Sequence, residues 1–277
     1  MRQPAGAALL LLALGAVSAC GGGGGAPAGT AAPPTGSRAA SGPGTPASTS
    51  SARPAIGTGD LAGKVIVIDP GHNGRNGEHP EIINKQVYVL TEHKECDTTG
   101  AEARGYTESA FNWDVAVRLS AILKADGAKV IMTRSNDDGV GPCITERAGI
   151  GNRAHADAAL SIHADGVAAS DHGFHIIEPA LIKGHTDKIV GPSKKLGLAL
   201  RNAFKAGTGI PYSNYAGTQA INVRDDLGGL NLSTVPKVFI ECGNMPNPGD
   251  FAKMHDPVYR QKMAQSLAAG FAAYFAA

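Results

Sequence analysis

Four residues carry side chains suited to a single reaction centre. His72 follows the apolar run of KVIVIDPGHNG, His163 follows ALSI in ALSIHAD, Glu241 follows KVFI in KVFIECGN, and Glu108 opens ESAFNWDVAVRLSAILKADG. Two imidazoles and one carboxylate that leave a fourth position open make up the donor set of a catalytic zinc. A second carboxylate can then act as base for the attacking water. Residue types alone leave open which of Glu108 and Glu241 does which job. Each residue also has a plainer role. His72 would suit a turn, His163 a satisfied core position, and Glu108 the positive end of a helix dipole. Glu241 is harder to dismiss, because a carboxylate directly after an apolar run is rarely buried unless paired or functional. No HExxH helix or CxxC pair offers a rival zinc site. His175, in GFHIIEP, is a further candidate for the same centre.

These groups converge only if the elements before them end at one place. Continuous β-branched runs predict buried strands over 64–69, 128–134, 158–164, 173–180 and 236–243. Helices are expected over 108–127, 144–156, 192–209 and 257–277. In the first, Phe111, Val115, Leu119 and Ile122 share a face and Gly127 marks the end. In the second, Thr145 is a candidate cap. Strands alternate with helices, which argues a single α/β domain with a mostly parallel central sheet and helices on both faces. In such sheets functional groups gather beyond the carboxyl ends of the strands, where His72, His163 and Glu241 fall. The polar stretch 73–107 is read as irregular, with a short strand or turn in EIINKQVYVL. Residues 210–232 are read either as a plain surface loop or as a loop that lines the peptide groove, with Arg224, Asp225 and Asp226 as candidates for substrate contact.

The chain has 277 residues and a net charge of +1, with no basic run, so nothing points to nucleic acid. Arg2 and the apolar AALLLLALGAV read as an export signal over 1–19. VSAC, ending at Cys20, resembles the lipobox of bacterial lipoproteins, which implies a lipid on Cys20 and an anchor in the membrane. Residues 20–54 are Gly, Ala, Pro, Ser and Thr with almost nothing to bury and read as linker. Residues 55–277 remain as the folded domain. Of the other cysteines, Cys96 and Cys143 lie in polar surroundings and Cys242 follows an apolar run. An exported chain can form disulfides, and Cys96 with Cys143 is the favoured one of three pairings.

The motifs together resemble a family, the zinc-dependent N-acetylmuramoyl-L-alanine amidases of bacterial cell walls. IDPGHNG is similar to the family's DPGHGG-like first motif, with Asn73 at a usual Gly position. Glu108 and Asn112 match its Glu and Asn on the first long helix, and Arg147, Asn152, Ala156 and Asp157 lead into SIHAD as its third motif does. ECGN supplies the last, and Asp165 stands where Asn is common. The resemblance implies Zn2+ on His72, Glu108 and His163, with Glu241 as the catalytic carboxylate. It implies hydrolysis of the amide between the lactyl group of N-acetylmuramic acid and L-Ala of peptidoglycan or muropeptides. A subset of the family carries a disulfide near the site, similar to Cys96 with Cys143. The expectation is an exported, membrane-anchored monomer facing the cell wall or periplasm.

Overall fold

Six residues, Val65–Pro70, form strand β1, and all but the first are buried, as a β-branched run covered on both faces requires. The computed structural model describes residues 60–277, which lie inside one compact unit, Arg53–Ala277. The export signal, Cys20 and the whole of the 20–54 linker fall outside the described residues. After β1 come α1 (Pro80–Ile83), β2 (Gln86–Tyr88), β3 (His93–Glu95), β4 (Glu102–Ala103), β5 (Tyr106–Thr107) and α2 (Glu108–Ala125). Next are β6 (Lys129–Met132), α3 (Ile144–Arg153), β7 (Ala158–Asp165), β8 (His175–Pro179) and α4 (Val190–Thr208). The chain continues through β9 (Ile221–Arg224), α5 (Gly228–Asn231), β10 (Lys237–Asn244), α6 (Pro248–His255) and α7 (Pro257–Phe275).

The main sheet runs in the order β6-β1-β7-β10-β8-β9. β6, β1, β7 and β10 are mutually parallel, whereas β8 is antiparallel to β10 and carries β9 parallel to itself. The expected mostly parallel sheet is therefore present, and the strand that contains His175 runs against its centre. Alternation along the strands sorts the two faces. Ile66, Ile68, Leu160, Ile162, Val238, Ile240 and Ile176 point into the larger core with α2, α4 and α7. Phe111, Val115 and Leu119 of α2 are fully buried there, so Leu119→Ala would destabilise the fold by ~2–5 kcal/mol. Val67 and Ala159 point the other way, against Ile150 of α3 and Ala154 just after it. The residues that alternate with the larger core on this second face include Asp69, Ser161, His163, Phe239 and Glu241.

Several local readings change. Residues 210–232 hold an edge strand, β9, and the single turn α5 rather than a loop. The polar stretch contains two small hairpins, β2–β3 and β4–β5. α3 stops at Arg153, and its N-cap is Cys143, without a side-chain bond, not Thr145. α2 is capped by Thr107, whose hydroxyl accepts from the Ala110 amide at 3.3 Å. Gly209 closes α4 in the left-handed conformation.

Candidate metal centre and active site

β1 ends at Pro70, and the chain turns sharply so that His72 sits at φ 57°. A left-handed residue other than glycine is unfavourable by ~1–3 kcal/mol and needs external support. The turn delivers His72 Nε2 to within 3.2 Å of Glu108 Oε1, at the start of α2. β7 brings His163 Nδ1 to 2.9 Å from the same oxygen. One donor atom from each of the three residues lies within 4.8 Å of the other two. The two rings meet edge to face, with centroids 5.0 Å apart. Two glycines make the space. A Cβ on Gly71 would sit 2.1 Å from the His163 ring, and one on Gly100 would sit 2.8 Å from Glu108 Oε2. Glu108 is fixed by the amides of Ala101 at 2.8 Å and Ala164 at 3.1 Å and by Asn112 Nδ2 at 3.2 Å.

The donor set fits a divalent cation of zinc's kind: two nitrogens and one carboxylate oxygen, converging in a buried place. The charges say the same. Burial alone would lower the pKa of His72, but Glu108 and then Asp97 overcome it and raise it to about 10. The cluster thus draws positive charge to His72 Nε2. The other ring nitrogen, Nδ1, faces Thr98 O at 3.1 Å and Asp97 Oδ1 at 3.4 Å. Such partners orient a ligating imidazole and fix its tautomer.

Beneath the turn lies a fully buried ionic network. Arg147 donates to Asp69 at 2.9 Å, to Asp97 at 3.0 Å, and to the carbonyls of Pro70, His72 and Pro142 at 2.7, 2.9 and 2.8 Å. Asp69 also accepts from Lys237 at 3.0 Å, Ser161 at 2.6 Å and Thr133 at 2.7 Å. Burial pushes the Asp69 carboxyl up, but Lys237, Arg147 and the hydroxyls together hold it well below the usual range. Arg134 adds bonds to Pro70 O at 3.0 Å and Ser109 O at 2.8 Å, tying the turn to α2. These two arginines hold the strained turn and with it the position of His72.

Glu241 lies on β10 directly between His163 of β7 and His175 of β8 in the strand register. Burial, Asp165 and Glu108 raise its pKa well above the carboxylate range. It lines a cavity of about 430 Å³ together with His72, Glu108, His163, Asp165 and Arg224. Ile177 and Phe239 form its floor, and the His163 ring stacks on Phe239 at 5.2 Å. A smaller cavity of about 200 Å³ adjoins it between Ile144, Leu227, Phe239 and Lys94.

The four chemistry-bearing residues of the sequence are therefore brought together. His175 is buried beside them, its Nδ1 3.7 Å from Asp165 Oδ2, and it does not line the larger cavity. Asp165 accepts from Tyr215 Oη at 2.5 Å, and Asn73 holds the 139–141 segment through Gly139 N and Gly141 O. Asn152 and Asp157 serve the scaffold, binding Leu232 O at 2.9 Å and Val65 N at 2.7 Å. Cys96 and Cys143 are unbonded thiols in the structure. They are neighbours: the Ile144 amide donates to Cys96 O at 2.7 Å, and burial followed by the hydrogen bond with Cys143 pushes the Cys96 thiol up to about 12. Cys242 is a buried free thiol, as read. Sequence reasoning missed Asp97, Arg134 and Lys237. The one available signal was Lys237, a charge inside an otherwise buried strand.

Comparison with known proteins agrees with this geometry. A family model described as N-acetylmuramoyl-L-alanine amidase matches residues 66–273. The chain is 39% identical over 231 residues to N-acetylmuramoyl-L-alanine amidase Rv3717 of Mycobacterium tuberculosis, covering 83% of this chain and 92% of that protein. It is 26% identical over 216 residues to N-acetylmuramoyl-L-alanine amidase LytC of Bacillus subtilis, covering 78% of this chain but 36% of LytC. Among solved structures it resembles the N-acetylmuramyl-L-alanine amidase Ami1 from Mycobacterium smegmatis, with a TM-score of 0.74 and 38% identity over 78% of this chain and 99% of that one.

Proposed function

The chain belongs to the N-acetylmuramoyl-L-alanine amidase family and is a peptidoglycan hydrolase, and from that premise we propose that Zn2+ is held by His72, Glu108 and His163 while Glu241 moves the protons of the reaction. The observation that carries this reading is the convergence of the three donor atoms within 4.8 Å beside the buried Glu241. When bound, Zn2+ supplies a Lewis acid that polarises the amide carbonyl and lowers the pKa of water toward ~7. The residues do the rest. A ligating imidazole must be neutral, so His72 would give up any proton that Glu108 and Asp97 favour on its ring. Thr98 O and Asp97 keep the ring's other nitrogen in place meanwhile. Glu241 takes the proton of the attacking water and delivers it to the amide nitrogen, which then leaves as the amine of L-Ala. Its raised pKa suits the second half of that task, since a carboxylate of ordinary acidity would be a poor donor to nitrogen.

The bond broken joins the lactyl group of N-acetylmuramic acid to L-Ala, so the products are a lactyl-muramic sugar and an intact stem peptide. A cell-wall amidase acts outside the cytoplasm, and the chain is exported. The anchored form of the protein, with lipid on Cys20, linker over 20–54 and a monomeric catalytic domain over 55–277, rests on the lipobox-like VSAC and the composition that follows it. A Cys96–Cys143 bond in the oxidising exterior is supported by the contact between the two thiols. The test of the active site is zinc content measured alongside product analysis. Glu241→Gln should retain one zinc per chain and lose ~10²–10⁴-fold in hydrolysis, and His163→Ala should lose the metal. Wild-type turnover by Glu241→Gln would end the role assigned to that residue.

A further inference from the structure

Among the described residues that line the larger cavity, Arg224 is the single lysine or arginine, whereas Glu108, Asp165 and Glu241 supply three carboxyl groups. A negatively charged substrate group is repelled everywhere in such a cavity except near the metal position and near Arg224. The guanidinium is held in advance. Its Nε and Nη2 donate to the two carboxylate oxygens of Asp226 at 2.7 and 2.5 Å. Asp226 in turn accepts from Lys94 Nζ at 3.0 Å, and Glu92 lies 4.0 Å beyond. The β2–β3 hairpin that presents Lys94 is itself tied to this wall, because Thr91 Oγ1 donates to Asp225 O at 2.8 Å and Asn231 Nδ2 donates to Val89 O at 2.8 Å. Asp226 uses one edge of the planar fork, and Nη1 makes no hydrogen bond among the described residues. The side chain is 38% exposed. A fixed, half-exposed guanidinium with a free edge is a carboxylate receptor.

The substrate offers a matching group. Once the lactyl carboxyl is engaged in the scissile amide, the next carboxyl along the stem belongs to the glutamate after L-Ala. Cell walls carry that group either as a free carboxylate or as a carboxamide. We propose that Arg224 binds this carboxylate and makes the enzyme selective for stem peptides whose second residue is an unamidated acid. The proposal rests on the active site and scissile bond proposed above.

The experiment uses the full-length protein and two muramoyl-peptides that differ only in that group, acid against carboxamide. The wild-type protein is expected to favour the acid by about tenfold or more in kcat/KM, with the difference carried by KM and shrinking as salt is raised. In Arg224→Gln the acid-to-carboxamide ratio should fall to near one, and Arg224→Lys, which keeps the charge without the fork, should retain part of it. Equal hydrolysis of the two substrates by the wild type overturns the inference and leaves the amidase reading intact, and this arm needs no variant to fold. An Arg224→Gln protein that slows both substrates equally and keeps the wild-type ratio overturns it too, placing Arg224 against the departing lactyl carboxylate instead. Cleavage of neither substrate by the wild type overturns the assignment of the site itself.

Discussion

Under the DPGH turn, Asp69, Asp97, Arg147 and Lys237 are all buried, and each charge meets an opposite one within 3.0 Å. On β8, His175 and Glu178 are buried as deeply, yet His175 Nδ1 and Glu178 Oε1 make no hydrogen bond. The first cluster meets the desolvation of its groups by pairing. The second meets it by giving up charge: burial, with a smaller push from Arg224, lowers His175 to about 4, and burial raises Glu178 to about 7 against the pull of Lys194 and Arg201. The paired cluster lies where a strained turn must be held still for catalysis. These residues lie on β8, which pairs antiparallel with β10 beside the site. Ionic pairing in this protein therefore follows the need for fixed geometry and not depth of burial alone.

The strongest way to break the contrast is Arg147→Met, which strands Asp97 and the carbonyls of the turn. Removing one partner of a buried pair typically destabilises by ~3–5 kcal/mol, so chemical denaturation should show a loss of that order, with weaker zinc binding as His72 is released. A loss below ~1 kcal/mol would mean that the network does not hold the turn. Next is Glu178→Gln. A carboxyl whose folded pKa is raised contributes stability that is complete below its unfolded pKa of ~4.5 and is lost as pH climbs through about 7. At pH 8 the glutamine variant, which cannot ionise, should be more stable than the parent by up to ~3 kcal/mol, and at pH 4 the two should melt together. His175 has the opposite slope. Its folded pKa is depressed, so its contribution is complete above ~6.5 and fades as pH falls toward about 4. Thermal scans at pH 5 should show a loss on the order of 2 kcal/mol that His175→Asn abolishes. At the small end, the exposed Arg75–Glu78 pair should contribute nothing measurable, and Arg75→Ala should leave the melting temperature unchanged.

The same contrast governs what was legible in the sequence. β1, β7 and β10 are continuous apolar runs, and their ends announce His72, His163 and Glu241 because a titratable residue there interrupts the run. α2 was legible through the period of Phe111, Val115, Leu119 and Ile122. β9 was not, since its four residues are half-buried or exposed and carry no alternation. The reversed direction of β8 is a matter of pairing partner, which no local pattern records. Arg147 was visible through its motif, but Arg134 and Asp97 look like any loop charge until distant segments meet. Lys94 and Asp226 are 132 residues apart in the chain, so the wall they build could not be read from either stretch.

Asp69 and Lys237 are separated by 168 residues, and that distance sets an order of events. All three proposed metal ligands and Arg147, one counter-charge of Asp69, are synthesised by residue 163, while its second counter-charge, Lys237, and the proposed proton carrier Glu241 arrive together on β10. Closing so long a loop is slow and comes late in folding. A chain that has emerged only through β7 can present donor atoms and a turn held by Arg134 and Arg147, but it lacks Lys237 and the proposed base. On the role proposed for Glu241, hydrolytic competence against the wall waits for β10, the strand seated between β7 and β8.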